Sequence, residues 1–598
     1  MADQDKKIMP IDYTHREYSS IRRDLMQIAE RFYPDTFQDF SEASFGSMML
    51  DSVAYVADQL SFYLDYSVNE AFLDTAFEFN NVVRHGRILG YKFAGRPSTY
   101  GTVALYVLIP STPTGIGPDS DYIPVLKRGT VLGSSTGTSF VLTENVDFAD
   151  SRNITVAARI DNDTGAPTHY AIKAYGNVVS GRFGQETIAI GGYVPFLRVT
   201  LNASNVAEVL SIFDDEGNEY FEVDYLAQDM VHQEITNPNF KDDNVPSLIK
   251  PLLVSRKFVV ESGTNSTTVQ FGSGKSGLSD VVADPQSVAV DVFGKKYVSD
   301  TSFDPSRLSQ NETFGIVPSN TNLIITYRTT NPVNSNVAVS AVNSVESSQF
   351  EFKNQELLTD SKVQEIISSL EVNNETPIMG SVTYPSSVEL KQRIYDTFPT
   401  QNRAVTQADY ESMVYRMPPK FGSVKRCSVQ KDADSQKRNL NLYIISEDTE
   451  GKLVQSNSTI KANVKTWINQ YRMINDTVDI LDPYILNFGI EFIVRSKQAS
   501  DKYQVLEDCN QALRDHFQTS FFIGEPLYMG DIYQKLKDVN GALDVIKVKI
   551  INKSGGAYSA ASIEINDNMS PDGNSLVVPN NGILELKYPE VDIVGKIT

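Results

Sequence analysis

Hydrophobic positions in the first hundred residues recur at helical spacing. Between Glu17 and Phe32, the residues Tyr18, Ile21, Leu25, Ile28, Ala29 and Phe32 share one side of a helix that Pro34 stops. The stretch Phe45 to Leu73 follows and is apolar on nearly all sides. Wound at about 100° per residue, Leu50, Val53, Val56, Ala57, Leu60, Tyr63 and Leu64 form a broad apolar face. Asp51, Asp58 and Asp65, spaced by sevens, make a narrow stripe on the other side, with Met48, Tyr55, Phe62 and Tyr66 running beside it. A surface helix of a compact monomer carries one apolar stripe and one solvated face. This one has two sides to pack, either on helices of its own domain or in a bundle shared with other chains. A shorter helical pattern around Val68–Ala76 and another over Asn80–Leu89, ended by Gly90, complete an expected four-helix domain over residues 1–96.

From Thr99 to about Asn373 the period changes to two, with Gly, Pro and Asn punctuation. TVALYVLI (102–109), TVL with SFVLT (130–143), KFVVE with TTVQFG and NLIITYR (322–328) read as strands. Two all-β domains are expected, 97–235 and 236–375, with a seam at TNPNFKDDNVP (236–246). NNETPIMGSVTYPSS (373–387) has the composition of a linker. Helices and strands then alternate over 376–552, starting from Ser386-x-x-Glu389 and Thr406-x-x-Asp409, a capping box and its aspartate analogue. Residues 553–598 read as a strand-like tail. The expected fold class is multidomain α+β: an N-terminal helical bundle, central all-β domains and a C-terminal α+β domain.

Composition narrows the partners. A net charge of −22 disfavours nucleic acid and anionic membrane surfaces. Two cysteines, Cys427 and Cys509, cannot build a disulfide framework; with the polar start MADQDKK they suggest a reducing cytosol. Sequons such as those at Asn153 and Asn311 are then accidents of composition. The long helix is interrupted by aspartates every second turn, so it does not read as a transmembrane span.

Three local patterns invite a chemical reading, and each fails on context. GSGKSG (272–277) has Val269 where a phosphate-binding loop needs glycine, and no helix pattern follows. GSSTG (133–137) would make Ser135 a nucleophile at a strand-to-helix elbow, but both flanks read as strand, so a hairpin turn is expected. The histidines His15, His85, His169, His232 and His516 are scattered, without metal-ligand spacing. Acidic loops at Asp161–Asp163 and Asp432–Asp434 carry too few carboxylates for a calcium loop. The three helix aspartates sit about 10 Å apart along the axis, too far for two to share a metal ion. No cofactor and no metal are expected. A glycosidase-like carboxylate pair stays open, because tertiary proximity is invisible in sequence.

The same strings carry a resemblance. SEASFGSMMLDSVAYVADQLSFYLDYSVNEAFLDTA (41–76) and NNVVRHGRILGYKFAGRPSTYGTV (80–103) resemble the baseplate J-like family, the wedge proteins of contractile phage tails and related injection machines. IPVLKRGTVLGSSTGTSFVLTENV (123–146) is similar to that family's Pro…Gly-Thr…Gly…Phe…Thr segment. DDEGNEYFEVDYLAQD (214–229), RKFVVESGTNSTTVQFGSGKSG (256–277) and PDGNSLVVPNNGILELKYPEVDIVG (571–595) look like the larger wedge proteins of myovirus baseplates, and QNRAVTQADYESMVYRMPPKFGSVKR (401–426) is similar to the family's Arg-Ala-Val-Thr…Asp-Tyr helix start. The matches are collinear over most of the chain, least clear between about 280 and 340.

The resemblance implies a non-enzymatic virion protein of the tail baseplate, assembled in the host cytoplasm. Two copies would pair within a wedge, contact neighbouring wedge proteins and join a ring around central hub proteins that rearranges on contraction. It implies an inter-chain helical bundle at the N-terminus and dimer contacts in the C-terminal α+β region. The residues expected at the partner interface are Met48, Leu50, Val53, Tyr55, Val56, Leu60, Phe62, Tyr63 and Tyr66. The alternatives are a tail-associated polysaccharide or peptidoglycan hydrolase, which needs a carboxylate pair in a cleft, and a receptor-binding tail adhesin. The helical N-terminus and α+β C-terminus argue against the adhesin.

Overall fold

The structure, a computed structural model, describes residues 17–33, 41, 44–93, 97–112, 116–161, 165–236, 247–263, 266–274, 314–330, 335–353, 355–383, 385–432, 439–497, 501–518 and 521–598. His15, Asp163, Lys275–Gly277, Asn311, Asp434 and nearly all of the seam at 236–246 lie outside them. The chain divides into two compact units, Met1–Lys92 with Pro385–Phe398, and Phe93–Tyr384 with Pro399–Thr598.

The first unit is helical. Helix α1 (Tyr18–Phe32) packs along α2 (Phe45–Glu70), and α3 (Phe79–Ile88) follows a tight corner. Gly90, at φ 88°, closes α3 in the left-handed conformation that glycine tolerates best. The helix expected around Val68–Ala76 is instead the last turn of α2 followed by irregular chain. The fourth helix comes from three hundred residues downstream: α4 (Ser387–Thr400) presents buried Leu390 and Ile394 to α3. Contact there is close, since a Cβ on Gly86 would lie 2.7 Å from Ile394 Cδ1. Lys391 Nζ donates to the Asp74 carbonyl at 2.7 Å, and the Tyr395 hydroxyl to its carboxylate.

In the second unit, β1 (Tyr100–Pro110), β2 (Val131–Ser134), β3 (Ser139–Leu142) and β4 (Pro167–Ser180) begin an antiparallel sheet, with β1 and β4 paired from Tyr100↔Val179 to Pro110↔His169. GSSTG is the β2–β3 hairpin turn, closed by Gly137 N–H on the Ser134 carbonyl, as its strand flanks require. The chain then leaves for a second sheet. This comprises β5 (Arg182–Ile190), β6 (Arg198–Thr200), β7 (Val206–Phe213), β8 (Glu219–Glu222), β9 (Lys257–Ser262), β10 (Thr267–Phe271) and β11 (Thr321–Thr329), in the spatial order β5-β11-β7-β8-β9-β10-β6. It returns to complete the first sheet with β12 (Val342–Ser347) and β13 (Glu371–Asn373), which come together so that the sheet curls into a barrel.

These pairings cut across the seam expected at 236–246. The first barrel's core joins Val103, Leu105 and Phe140 to Val342, Val372 and Ile378, whereas Ile212, Phe258, Phe271 and Ile325 fill a separate core inserted between its halves. Arg328, 1% exposed, lies where β4 hands over to β5; its guanidinium meets the Glu208 carboxylate at 2.7 Å, Ser98 Oγ at 3.0 Å and the Ser180 carbonyl.

The linker reading of 373–387 is likewise corrected over its first half. Asn374 and Ile378 are completely buried, and Thr383 N–H donates to the buried Glu447 carboxylate at 2.8 Å. Polar composition does not mean solvation in this segment, because the side chain of Asn374 and the backbone of Thr383 are hydrogen-bonded inside the fold.

The C-terminal part is two α+β layers. One carries β14 (Arg426–Lys431), β15 (Asn439–Glu447) and β16 (Thr477–Leu481) with α5 (Gln407–Tyr415) and α6 (Ser458–Asn469). The other carries β17 (Tyr484–Ser496), β18 (Ala542–Lys553), β19 (Gly582–Glu585) and β20 (Ile593–Ile597) with α7 (Lys502–His516) and α8 (Met529–Lys537). The expected tail is therefore part of this sheet, because β19 and β20 both pair in parallel with β17.

Candidate assembly surface

Helix α2 has 26 residues and is about 39 Å long. Ser44 starts it as an N-cap, its Oγ accepting the Ser47 N–H at 3.1 Å. Its other end is held by Glu70. One carboxylate oxygen accepts the N–H groups of Phe77 (2.7 Å) and Glu78 (3.2 Å) at the start of α3, and the other accepts Asn81 Nδ2 at 2.8 Å. The Asn81 hydrogen bond, then the Phe77 N–H, pulls the Glu70 carboxyl below its ordinary range. His85 Nε2 sits 2.8 Å from the Glu70 carbonyl oxygen and ties α3 back to the corner.

The covered side of α2 is not the apolar one. Ser47 and Ala54 are fully buried, and Leu50, Asp51, Ala57, Asp58, Ser61 and Asp65 are half-buried. At 100° per residue these positions fill one stripe roughly 120° wide. The three aspartates thus lie on the covered side of the helix, and the first of them, Asp51, pairs with Arg22 Nε of α1. The physical reason is size and charge: serine and alanine let α1 approach, and its arginine neutralises the first carboxylate of the stripe.

The large side chains consequently point outward. Met48, Val53, Tyr55, Val56, Leu60, Phe62, Tyr63 and Tyr66 are exposed, Phe62 at 66%, and Leu50 alone of the nine expected interface residues is half-buried at the margin of the covered stripe. They fall on two adjoining stripes, Met48-Tyr55-Phe62-Tyr66 and Val53-Val56-Leu60-Tyr63, which together span about 180° of the helix. Phe62 and Tyr66 stack at 6.3 Å, and Gln59 Nε2 donates to the Tyr55 hydroxyl at 2.8 Å, so the outer surface is partly ordered before anything covers it. Exposed Phe45, Met49 and Leu64 extend the same arc, and Phe72, Phe77 and Ile88 continue it past the corner. Phe72 and Phe77 fall in the apolar run AFLDTAFEF (71–79), the signal in the sequence that could have added them to the expected interface.

Among the described residues no group of three or more His, Cys, Asp or Glu is arranged to hold a metal ion. No described helix is long and apolar enough to cross a membrane. Cys427 and Cys509 are both buried, and burial pushes the Cys509 thiol up to about 11.

Comparison with known proteins bears on this unit first. Residues 17–88 match the model of the bacteriophage baseplate protein N-terminal domain, so α1, α2 and α3 all lie inside the matched segment. No curated protein matches the sequence. Among solved structures, a chain of the anti-feeding prophage baseplate aligns at 9% identity and TM-score 0.25, over 94% of this chain and 90% of its own. A chain of the type VI secretion TssK-TssF-TssG baseplate subcomplex aligns at 8% identity and TM-score 0.23, over 72% and 95% respectively. Likenesses at that level carry no functional argument.

Proposed function

We propose that this chain is a structural, non-catalytic subunit of a contractile-tail baseplate, a wedge protein of the baseplate J-like kind. One observation carries the reading: within a segment matched to a baseplate N-terminal domain, α2 turns its large apolar side chains away from its own unit. Met48, Leu50, Val53, Tyr55, Val56, Leu60, Phe62, Tyr63 and Tyr66 are the proposed interface, covered by helices of a second copy and of neighbouring wedge proteins. Wedges built in this way would close into a ring around the hub. Fully burying one large apolar side chain is worth roughly 1.5–3 kcal/mol. A handful suffices to offset an association cost of about 4–15 kcal/mol.

The test is co-expression with the adjacent baseplate genes, followed by mass measurement of the purified complex. A complex holding two copies of this chain with a neighbouring subunit is the expected result. A stable monomer with no affinity for those partners would overturn the proposal.

A further inference from the structure

One strand of the first barrel's sheet has a bare edge. Ile154–Ile160 pairs with β4, from Ile154↔Lys173 to Ile160↔Pro167, and no other strand lies beside it. All seven of its residues are exposed, Ile154 at 56%, Val156 at 54% and Ile160 at 59%. Outside this hairpin no described residue hydrogen-bonds to its backbone. Its outer row of N–H and C=O groups is therefore an open template for another strand.

The chain blunts a comparable edge elsewhere. β18 has only β17 beside it and carries exposed Lys547 and Lys549, the kind of charge that keeps edge strands from pairing. Ile154–Ile160 (ITVAARI) has no lysine, no proline and no carboxylate. Its single charge, Arg159, is held by Glu365 at 2.8 Å. The irregularities in its register fall around Arg159, at the far end, and Ile154–Ala157 pairs with Lys173–Tyr170 residue for residue.

We infer that this edge pairs with the same edge of a second copy, antiparallel and about Ala157, in an isologous contact. The strand's own pattern names the occupant, because it reads alike in both directions. Pairing about Ala157 sets Ile154 against Ile160, Val156 against the small Ala158, and Thr155 against Arg159. Apolar side chains meet, and neither arginine faces the other. Two copies of a chain with net charge −22 repel over much of their surface, and an edge free of carboxylates is where they can approach. The contact is separate from α2 and does not depend on the wedge reading. Seven residues a side is fewer than the roughly 20–30 of a self-sufficient interface, so the pairing is weak in free solution and is read by trapping.

Ala157→Cys in the full chain supplies the trap. Residues directly opposite in an antiparallel pair have Cα atoms about 4.5–5.5 Å apart, within the span a disulfide bridges. Cys427 and Cys509 are buried and do not compete. Under mild oxidation, non-reducing gels should show the linked dimer forming at least about tenfold faster than for Gln504→Cys, at an exposed position on α7. Adding Val156→Lys, which charges the edge as β18 is charged, should remove that advantage, whereas adding Tyr55→Asp on α2 should leave it unchanged. A rate no greater than that of Gln504→Cys, or trapping that is lost with Tyr55→Asp and survives Val156→Lys, would overturn the inference.

Discussion

Arg22 Nε donates to the Asp51 carboxylate across the α1–α2 pair, and the contact marks which side of α2 is its inside. Both side chains stay partly accessible, at 26% and 33%, so the coupling between them should be modest, about 0.2–1 kcal/mol in a double-mutant cycle. Ala54 lies one turn on and is fully buried in the same stripe. Ala54→Leu forces extra volume into a closed contact and should cost about 1–3 kcal/mol, read as a lower unfolding temperature. A neutral Ala54→Leu would mean that α1 does not rest on this stripe.

One residue further, Tyr55 points the other way, and the opposite result is expected there. Tyr55→Asp and Phe62→Asp add a charge to an exposed surface, so circular dichroism and the unfolding midpoint should stay close to wild type. Recovery of the complex with neighbouring subunits should be lost, because each aspartate would be buried without a partner on assembly. Should either variant unfold the isolated chain, the outer arc of α2 belongs to its own core.

What could be read in the sequence was local. Thr406 accepts the Asp409 N–H at 3.2 Å while the Asp409 carboxylate accepts the Thr406 N–H at 2.9 Å, the reciprocal cap expected from four residues of sequence. Gly90 and the turn at Gly137 were legible for the same reason. The direction of the aspartate stripe was not, since its determinant, Arg22, lies 29 residues away and α2 by itself has apolar residues on every side. Nor could sequence show that Ile394 completes a helical unit beginning near residue 17, or that Val342 finishes a barrel begun at Tyr100. Those are pairings between distant segments whose hydrophobic patterns fit many partners equally well. Asn374 shows the converse error: its polarity suggested solvent, but its amide donates to the carbonyls of Ala338 (2.7 Å) and Thr376 (2.9 Å) inside the fold.

The Arg328–Glu208 pair bridges two neighbouring strands of the inserted sheet, β11 and β7, with the arginine side chain 1% exposed and the glutamate 23%, and the same guanidinium reaches the first barrel at the Ser180 carbonyl. Removing one partner of a buried pair leaves the other uncompensated, which costs about 3–5 kcal/mol. Arg328→Ala should therefore lower the calorimetric unfolding temperature far more than Arg182→Ala, whose guanidinium pairs with Glu346 largely in solvent. Equal effects would show that the handover between the two sheets is held by their backbones alone.

Glu585 gives a pH dependence whose sign can be worked out. Its carboxyl is buried and accepts the Leu453 N–H and Asn487 Nδ2, both at 2.7 Å. Burial outweighs those hydrogen bonds and raises its pKa above the ordinary 4.5. A carboxyl that holds its proton more tightly when folded contributes stability fully below its unfolded pKa. That contribution is lost as pH rises through the folded value. Net negative charge acts in the same direction, so the difference between wild type and Glu585→Gln is what isolates the group. Leu453 extends the sheet of β14–β16, and the single tryptophan, Trp467, packs beside that layer's core, so its fluorescence follows the unfolding. Denaturant midpoints measured upward from pH 4.5 should fall more steeply for wild type than for the variant. Parallel slopes would show that Glu585 ionises in the folded chain as it does in the unfolded one.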